Sequence, residues 1–98
     1  MAKHESILDV VRKLQLHHPS WILVDHWEAD LCAIGIAEAH EPRRLAYVST
    51  WKQPAGRYFL ELESPEGEDY KVDGTFEAVD FEELEGRIFG HLHIEEVT

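Results

Sequence analysis

A chain of 98 residues with a formal net charge of −11 is short enough to form only one domain and is strongly acidic. Hydrophobic residues make up 44% of it, which supports a folded core and argues against intrinsic disorder. The negative charge disfavours nucleic acid and anionic membrane surfaces as partners, and the single cysteine, Cys32, excludes an internal disulfide bond.

The N-terminal segment does not have the form of a signal peptide. No apolar run approaches the roughly 18 residues that are needed to cross a bilayer. We therefore expect residues 1–98 to form a single small globular domain that is located in the cytoplasm and makes no membrane contact.

The first predicted element is a helix at about residues 6–17. Its apolar residues follow the helical i, i+3, i+4, i+7 spacing at Ile7, Val10, Val11 and Leu14. Ser6 is the predicted N-cap, and Pro19 ends the element. His17 and His18 fall at the C-terminal end, where positive charge suits the helix dipole.

Five β-rich runs follow between residues 21 and 79. They are residues 21–28, 31–39, 44–51, 58–64 and 70–79, and turn residues separate them at 29–30, 41–42, 52–57 and 64–69. Connections this short favour antiparallel neighbours, because a parallel crossover needs a dozen or more residues. The sequence therefore predicts a five-stranded meander.

The last of these runs alternates most clearly between apolar and polar residues. One face is predicted to carry Tyr70, Val72, Phe76 and Ala78, and the other Lys71, Asp73, Thr75 and Glu77. This pattern is typical of a strand with one face on the core and the other in water.

A second helix is predicted at about residues 81–92. Asp80 is its N-cap with Glu83 three residues further on, and its buried stripe is Phe81, Leu84, Ile88 and Leu92. The predicted fold class is α+β in two layers, in which a helix, a five-stranded antiparallel meander and a second helix follow one another. Both helices are expected to cover one face of the sheet.

Motifs for catalysis or for cofactor binding are absent from the sequence: it has no G-x-S-x-G, no G-x-G-x-x-G and no phosphate-binding loop. We expect neither a cofactor nor an enzymatic activity. His91 in the last turn of the second helix and His93 just beyond it are explained by the helix dipole. Together with His26 they are the candidates for a metal site, although the histidines follow no known ligand spacing.

The charge is distributed unevenly along the chain. Residues 1–60 contain seven acids and seven bases, whereas residues 61–98 contain thirteen acids and only Lys71 and Arg87 as bases. This half predicts a docking surface for a basic protein partner. Its candidate residues are Glu61, Glu63, Glu66, Glu68, Asp69, Asp73, Glu77, Glu82 and Glu85. A solvated surface that keeps the protein soluble and a mimic of nucleic acid are the alternatives.

The hairpin tip at residues 51–58 is a second candidate surface. Trp51, Arg57 and Tyr58 are residue types that commonly anchor protein interfaces. In the alternative interpretation, Trp51 and Tyr58 are cross-strand partners that hold the hairpin closed.

These observations favour a non-catalytic small acidic binding protein. In size and charge the chain resembles immunity proteins of bacterial toxin systems and acidic secretion chaperones, a likeness that assigns no residues. A small enzyme or metal-binding protein that uses His26, His91 or His93 is one alternative. A homodimeric interaction domain, joined through its neutral half, is another.

Overall fold

The computed structural model describes residues 3–25 and 30–93. In chain order its elements are α1 (Glu5–His17), β1 (Trp21–Val24), β2 (Ala33–Glu38), β3 (Glu41–Ser49), β4 (Tyr58–Glu66), β5 (Asp69–Val79) and α2 (Phe81–Leu92). The strands form one open antiparallel sheet in the order β1-β2-β3-β4-β5, and both helices pack on it. The predicted α+β fold is confirmed.

Both helices begin at a side-chain cap. Asp80 accepts a hydrogen bond from the backbone N–H of Glu83 at 2.8 Å and caps α2, as predicted. The first helix starts one residue earlier than predicted, and its cap is His4, whose Nδ1 accepts from the backbone N–H of Ser6 at 3.1 Å. The hydroxyl of Ser6 lies 2.7 Å from Oγ1 of Thr50 and ties α1 to the end of β3.

The core lies between the two helices and one side of the sheet, which we call the helix face. Its buried side chains include, from the helices, Ile7, Val10, Val11, Leu14, Leu84 and Ile88 and, from the strands, Trp21, Ile34, Ile36, Ala46, Val48 and Leu60. The helical residues recur at three and four positions and the strand residues at every second position, so each element buries one side. We call the opposite side of the sheet, with Leu45, Tyr47, Phe59, Glu61 and Glu63, the outer face.

The first two strands are shorter than predicted, and their neighbour begins earlier. β1 ends at Val24, and residues 26–28 of the predicted strand lie outside the described residues, as does part of the predicted turn at 29–30. The predicted turn at Glu41–Pro42 is wrong, because Glu41 pairs with Glu38 and begins β3. The turn lies at residues 39–40 instead.

The last hairpin is also tighter than the sequence predicts. The sequence predicts a turn over residues 64–69, but β4 continues to Glu66, which pairs with Asp69 across a two-residue turn. Gly67 in this turn has φ of 60°, a left-handed conformation that glycine adopts without steric cost.

The edge strand β5 contains an extra residue at Asp73. Leu62 pairs with Gly74, and the next residue of β4, Glu63, pairs with Val72, so two residues of β5 lie opposite one step of β4. The alternation between the two faces therefore shifts by one residue at the bulge. Even-numbered residues such as Val72 lie on the outer face before it, and odd-numbered residues such as Thr75 lie there after it.

A second bulge lies near the end of the same strand. Leu60 pairs with Phe76 and Tyr58 pairs with Val79, so three steps of β5 match two of β4. Ala78 in the bulge has φ of 53° and is exposed. Val79, which is only 4% exposed, turns into the core in its place.

The two bulges overturn the alternation predicted for the last strand. The sequence predicts one face that carries Tyr70, Val72, Phe76 and Ala78. In the structure Phe76 packs against the core, while Tyr70 and Val72 lie on the outer face and are 45% and 57% exposed. The outer face is consequently more apolar at this edge than the sequence indicates.

The longer of the two helices has 13 residues. Over residues 3–25 and 30–93, neither helix combines the length and the apolar character that a membrane crossing requires.

Candidate functional site

Three of the predicted docking carboxylates lie together on the outer face. Glu61 and Glu63 are two residues apart on β4 and pair with Thr75 and Val72 of β5. Glu77 lies further along β5 and lines a pocket on the same face. In the described part of the chain, the carboxylates of Glu61 and Glu77 form no ion pair. Their charges therefore add to a negative field over this part of the sheet.

A second acidic group surrounds the turn between β4 and β5. Glu66, Glu68 and Asp69 are all exposed there. Arg43 crosses to this turn, and its Nη2 donates to the backbone oxygens of Gly67 and Asp69 at 2.8 and 3.1 Å. The guanidinium offsets part of the negative charge, so the net negative charge at the turn is smaller than the sequence of the turn alone indicates.

The acids of α2 lie on the other side of the molecule, and one of them is engaged in a bridge between the helices. Oε2 of Glu85 lies 2.6 Å from Nδ1 of His17 and 3.2 Å from Nε2 of His18. The hydrogen bond from His17 is the largest cause that lowers the pKa of Glu85 below its ordinary value. Glu82 is exposed near the start of α2. The structure therefore does not bring Glu82 and Glu85 to the outer face.

Asp73 belongs to a polar cluster on the helix face. Its carboxylate accepts a hydrogen bond from the hydroxyl of Ser64, which in turn accepts from Nη1 of Arg44 at 2.9 Å. His91 completes the cluster: its Nε2 donates to the backbone oxygen of Glu63 at 2.9 Å, and its Nδ1 lies 3.8 Å from Asp73. His91 is only 4% exposed. These contacts satisfy a buried imidazole, a role that the helix-dipole explanation from the sequence did not include.

The same cluster contains the residue types of a serine hydrolase, but its hydrogen bonds have a different order. In nucleophilic catalysis, an imidazole takes the proton of the serine hydroxyl. Here Ser64 donates to the carboxylate of Asp73, and the Nε2–H of His91 donates to the backbone oxygen of Glu63. The arrangement is therefore suited to holding α2 on the sheet.

His93 lies at a second and separate cluster. Its Nε2 accepts a hydrogen bond from the indole N–H of Trp21 at 3.3 Å. Oε1 of Glu38, which accepts from the hydroxyl of Ser20 at 3.0 Å, lies 3.2 Å from the same Nε2. The ring of His18 stacks on Trp21 with 3.9 Å between the ring centres. These contacts fix the end of α2 against the first two strands.

Two of the candidate metal ligands, His91 and His93, are not brought together. His91 and His93 belong to the two different clusters described above, and His26 lies outside the described residues. Across residues 3–25 and 30–93, no group of three or more histidine, cysteine or acidic side chains is arranged to hold a metal ion.

The structure separates the residues of the predicted hairpin surface. Tyr58 pairs with Val79 and packs against the core on the helix face, whereas the side chain of Trp51 is 63% exposed and lines a pocket on the outer face. Arg57 is exposed and reaches a backbone oxygen of the second bulge at 3.5 Å. The alternative prediction, a cross-strand pair of Trp51 and Tyr58, is wrong because β3 and β4 pair with Ser49 opposite Phe59.

The pocket beside Trp51 has a volume of about 300 Å³, and we call it the aromatic pocket. Its walls are Tyr47, Ser49, Trp51, Lys52, Gln53, Phe59 and Glu77. The rings of Tyr47 and Phe59 meet edge to face, with centres 6.0 Å apart and planes at 79°. Nζ of Lys52 lies 5.9 Å from the centre of the Trp51 ring. Aromatic rings and a carboxylate thus converge at one place on the acidic face.

Tyr47 is held in this wall by its hydroxyl, which donates to Oδ2 of Asp30 at 3.0 Å. Burial, and then the hydrogen bond and negative charge of Asp30, raise the pKa of Tyr47 to about 12. The phenol therefore stays neutral at physiological pH and keeps this hydrogen bond.

Sequence reasoning found Trp51 but missed Tyr47 and Phe59 as its neighbours. A period-two count along β3 and β4 places Tyr47 and Trp51 on one face and Phe59 and Glu61 on one face, so part of the signal was present. The register that joins the two strands could not be read from the local sequence.

Comparison of the chain with protein-family models, with curated proteins and with solved structures found no match in any of the three.

Proposed function

We propose that this protein is a non-catalytic binding protein whose outer face docks a cationic protein partner. The observation that carries the proposal is the group of carboxylates on the outer face, which lies beside exposed aromatic and apolar side chains. On the helix side, some carboxylates are engaged in ion pairs, as Glu85 is with His17 and His18 and Glu83 is with Arg87. On the outer face, within the described residues, Glu61 and Glu77 have no cationic partner.

Electrostatic complementarity supports a basic partner for this face. A net charge of −11 attracts cationic proteins over distances of about a Debye length and accelerates their encounter. The same charge repels nucleic acid phosphates and anionic lipid headgroups. The exposed apolar side chains of Trp51, Tyr70 and Val72 on the same side of the molecule supply contact area beside the charges.

The charge also favours a different protein over a second copy of this chain. A symmetric dimer joined by the outer face would place Glu61, Glu63 and Glu77 of one copy close to the same carboxylates of the other. Like charges at such an interface are repulsive, whereas a basic partner neutralises them.

The cytoplasmic location stays a prediction of the sequence and belongs to this proposal.

The proposal is tested with two variants of equal charge. The variant E61Q/E63Q/E77Q removes three carboxylates from the outer face, and the control E5Q/D9N/E82Q removes three exposed carboxylates from the helices. Both change the net charge from −11 to −8. Each is used, beside the wild type, to capture proteins from a lysate of the native organism at low and high salt, and bound proteins are identified by mass.

We expect the wild type and the helix control to retain the same basic protein at low salt and to release it at high salt. The outer-face variant is expected to lose it. Recovery of the same proteins by both triple variants would contradict the proposal, because the outer face would then make no specific contribution.

A further inference from the structure

We propose that the aromatic pocket receives an arginine side chain of the cationic partner. This inference rests on the proposed function and names the chemistry of its central contact. It is carried by the shape of the pocket, by the residue types in its wall and by its position beside the acids of the outer face.

The pocket has the size of a site for one side chain. Its volume of about 300 Å³ lies at the lower end of the range for small-molecule sites. A pocket of this size accommodates a single long side chain. The contact therefore anchors a larger interface that the surrounding carboxylates complete.

The lining matches a guanidinium group. Tyr47, Trp51 and Phe59 present aromatic rings, whose faces are negative and attract cations, and Glu77 adds a carboxylate at the same pocket. A planar guanidinium stacks on an aromatic face and donates in a fork to a carboxylate, which a lysine ammonium cannot do in the same geometry. Arginine is accordingly favoured over lysine.

The wall is organised before any partner binds. Tyr47 is fixed by its hydrogen bond to Asp30 at 3.0 Å and by its edge-to-face contact with Phe59. The two rings lie on neighbouring strands in the middle of the sheet. A rigid wall lowers the conformational entropy that binding removes.

One residue of the chain already places a cation at this site. Nζ of Lys52 lies 5.9 Å from the ring centre of Trp51. This contact is an internal competitor for an incoming guanidinium, and the charge of Lys52 repels it. Removing that charge should strengthen binding, an effect opposite in sign to that of removing the ring.

The experiment uses hexaarginine and hexalysine peptides as probes and measures their affinities by calorimetry at low salt. Six proteins are compared: the wild type, W51A, W51F, K52N, E61Q/E63Q/E77Q and E5Q/D9N/E82Q. Asparagine is chosen at position 52 because this residue has φ of 55°, a left-handed conformation that asparagine tolerates. Trp51 is 63% exposed, so W51A should keep its thermal midpoint, and W51F, which retains a ring, should recover most of the binding.

We expect W51A to weaken hexaarginine binding by roughly three- to tenfold and to affect hexalysine less, because the cation–π contact favours the guanidinium. K52N should strengthen hexaarginine binding by about twofold or more. In NMR spectra, the backbone amide signals of Tyr47, Phe59 and Glu77 should shift during titration with hexaarginine.

The outcomes separate this inference from the proposed function. If W51A binds both peptides as the wild type does while E61Q/E63Q/E77Q binds them more weakly, the outer face docks cations and the pocket plays no part. Equal losses for the two peptides in W51A would overturn the assignment to arginine. If E61Q/E63Q/E77Q binds no more weakly than E5Q/D9N/E82Q, the acidic face itself fails as a docking site.

Discussion

The bridge between the two helices predicts that Glu85 stabilises the fold and that this contribution depends on pH. The substitution Glu85→Gln keeps the size of the side chain and removes its charge. In the structure the carboxylate lies 2.6 Å from Nδ1 of His17 and 3.2 Å from Nε2 of His18, so one group joins the end of α1 to α2.

The expected magnitude follows from the exposure of the three groups. Side chains of His17, His18 and Glu85 are 45%, 21% and 27% exposed, so solvent weakens each contact. Two such hydrogen bonds contribute about 1 kcal/mol to the free energy of unfolding at pH 7. For a domain of this size, that loss lowers the melting temperature by about 4–8 °C.

The pH dependence has a definite sign. The hydrogen bond from His17 lowers the pKa of Glu85 in the folded state below its ordinary value of 4.5. A lowered carboxyl pKa contributes stability that is fully present above the unfolded pKa and is lost as pH falls through the folded pKa. The stability difference between wild type and E85Q should therefore hold at pH 7 and shrink as the pH falls below 4.5.

Urea unfolding followed by circular dichroism at pH 7 and at roughly pH 3 measures both quantities. E68Q is the matched control, because Glu68 is exposed in the turn between β4 and β5, and this substitution should change the free energy by no more than about 0.5 kcal/mol. If E85Q is as stable as E68Q at pH 7, or if its loss of stability is the same at both pH values, the Glu85 carboxylate does not stabilise the fold through the bridge.

Two further substitutions test the packing of the helix face. Leu60 is fully buried in the core, so L60A should lower the free energy of unfolding by about 2–5 kcal/mol in urea titrations. A loss below about 1 kcal/mol would show that the helices do not cover this position. His91→Phe removes the donor to the backbone oxygen of Glu63 and should cost about 1–3 kcal/mol in the same assay, whereas unchanged stability would mean that this carbonyl needs no partner.

The fold followed from the sequence where periodicity and capping act over a few residues. The helical spacing from Ile7 to Leu14 and the cap at Asp80 placed both helices within a residue or two. Short connections gave the antiparallel order of the strands. These signals are local, and tertiary contacts did not oppose them.

The two misplaced turns have a common physical reason. Proline interrupts a strand that is hydrogen-bonded to neighbours on both sides, but it is tolerated where the strand has a neighbour on one side only. β3 and β4 pair with each other from Leu45 to Ser49 and from Phe59 to Glu63. Pro65 lies beyond that stretch, where β4 pairs only with β5, and Pro42 lies before it. A residue without an N–H is tolerated at such positions.

The composition of the site could be predicted only in part. The acidic half and Trp51 were visible in the sequence, but their assignment to faces was not. The bulges at Asp73 and Ala78 shift the parity of β5, and they depend on how β4 pairs with it. One shift sends Asp73 to the cluster with His91, and the engagement of Glu85 by α1 depends likewise on helix packing.

The most direct test of docking by the outer face is the affinity of the captured basic protein for the two matched triple variants, measured by calorimetry with purified components. We expect E61Q/E63Q/E77Q to bind roughly tenfold or more weakly than the wild type, because three carboxylates are removed from the docking face, and E5Q/D9N/E82Q to stay close to the wild type. Equal affinities for the two variants would mean that the partner responds only to the net charge of the protein, and docking by the outer face would be wrong.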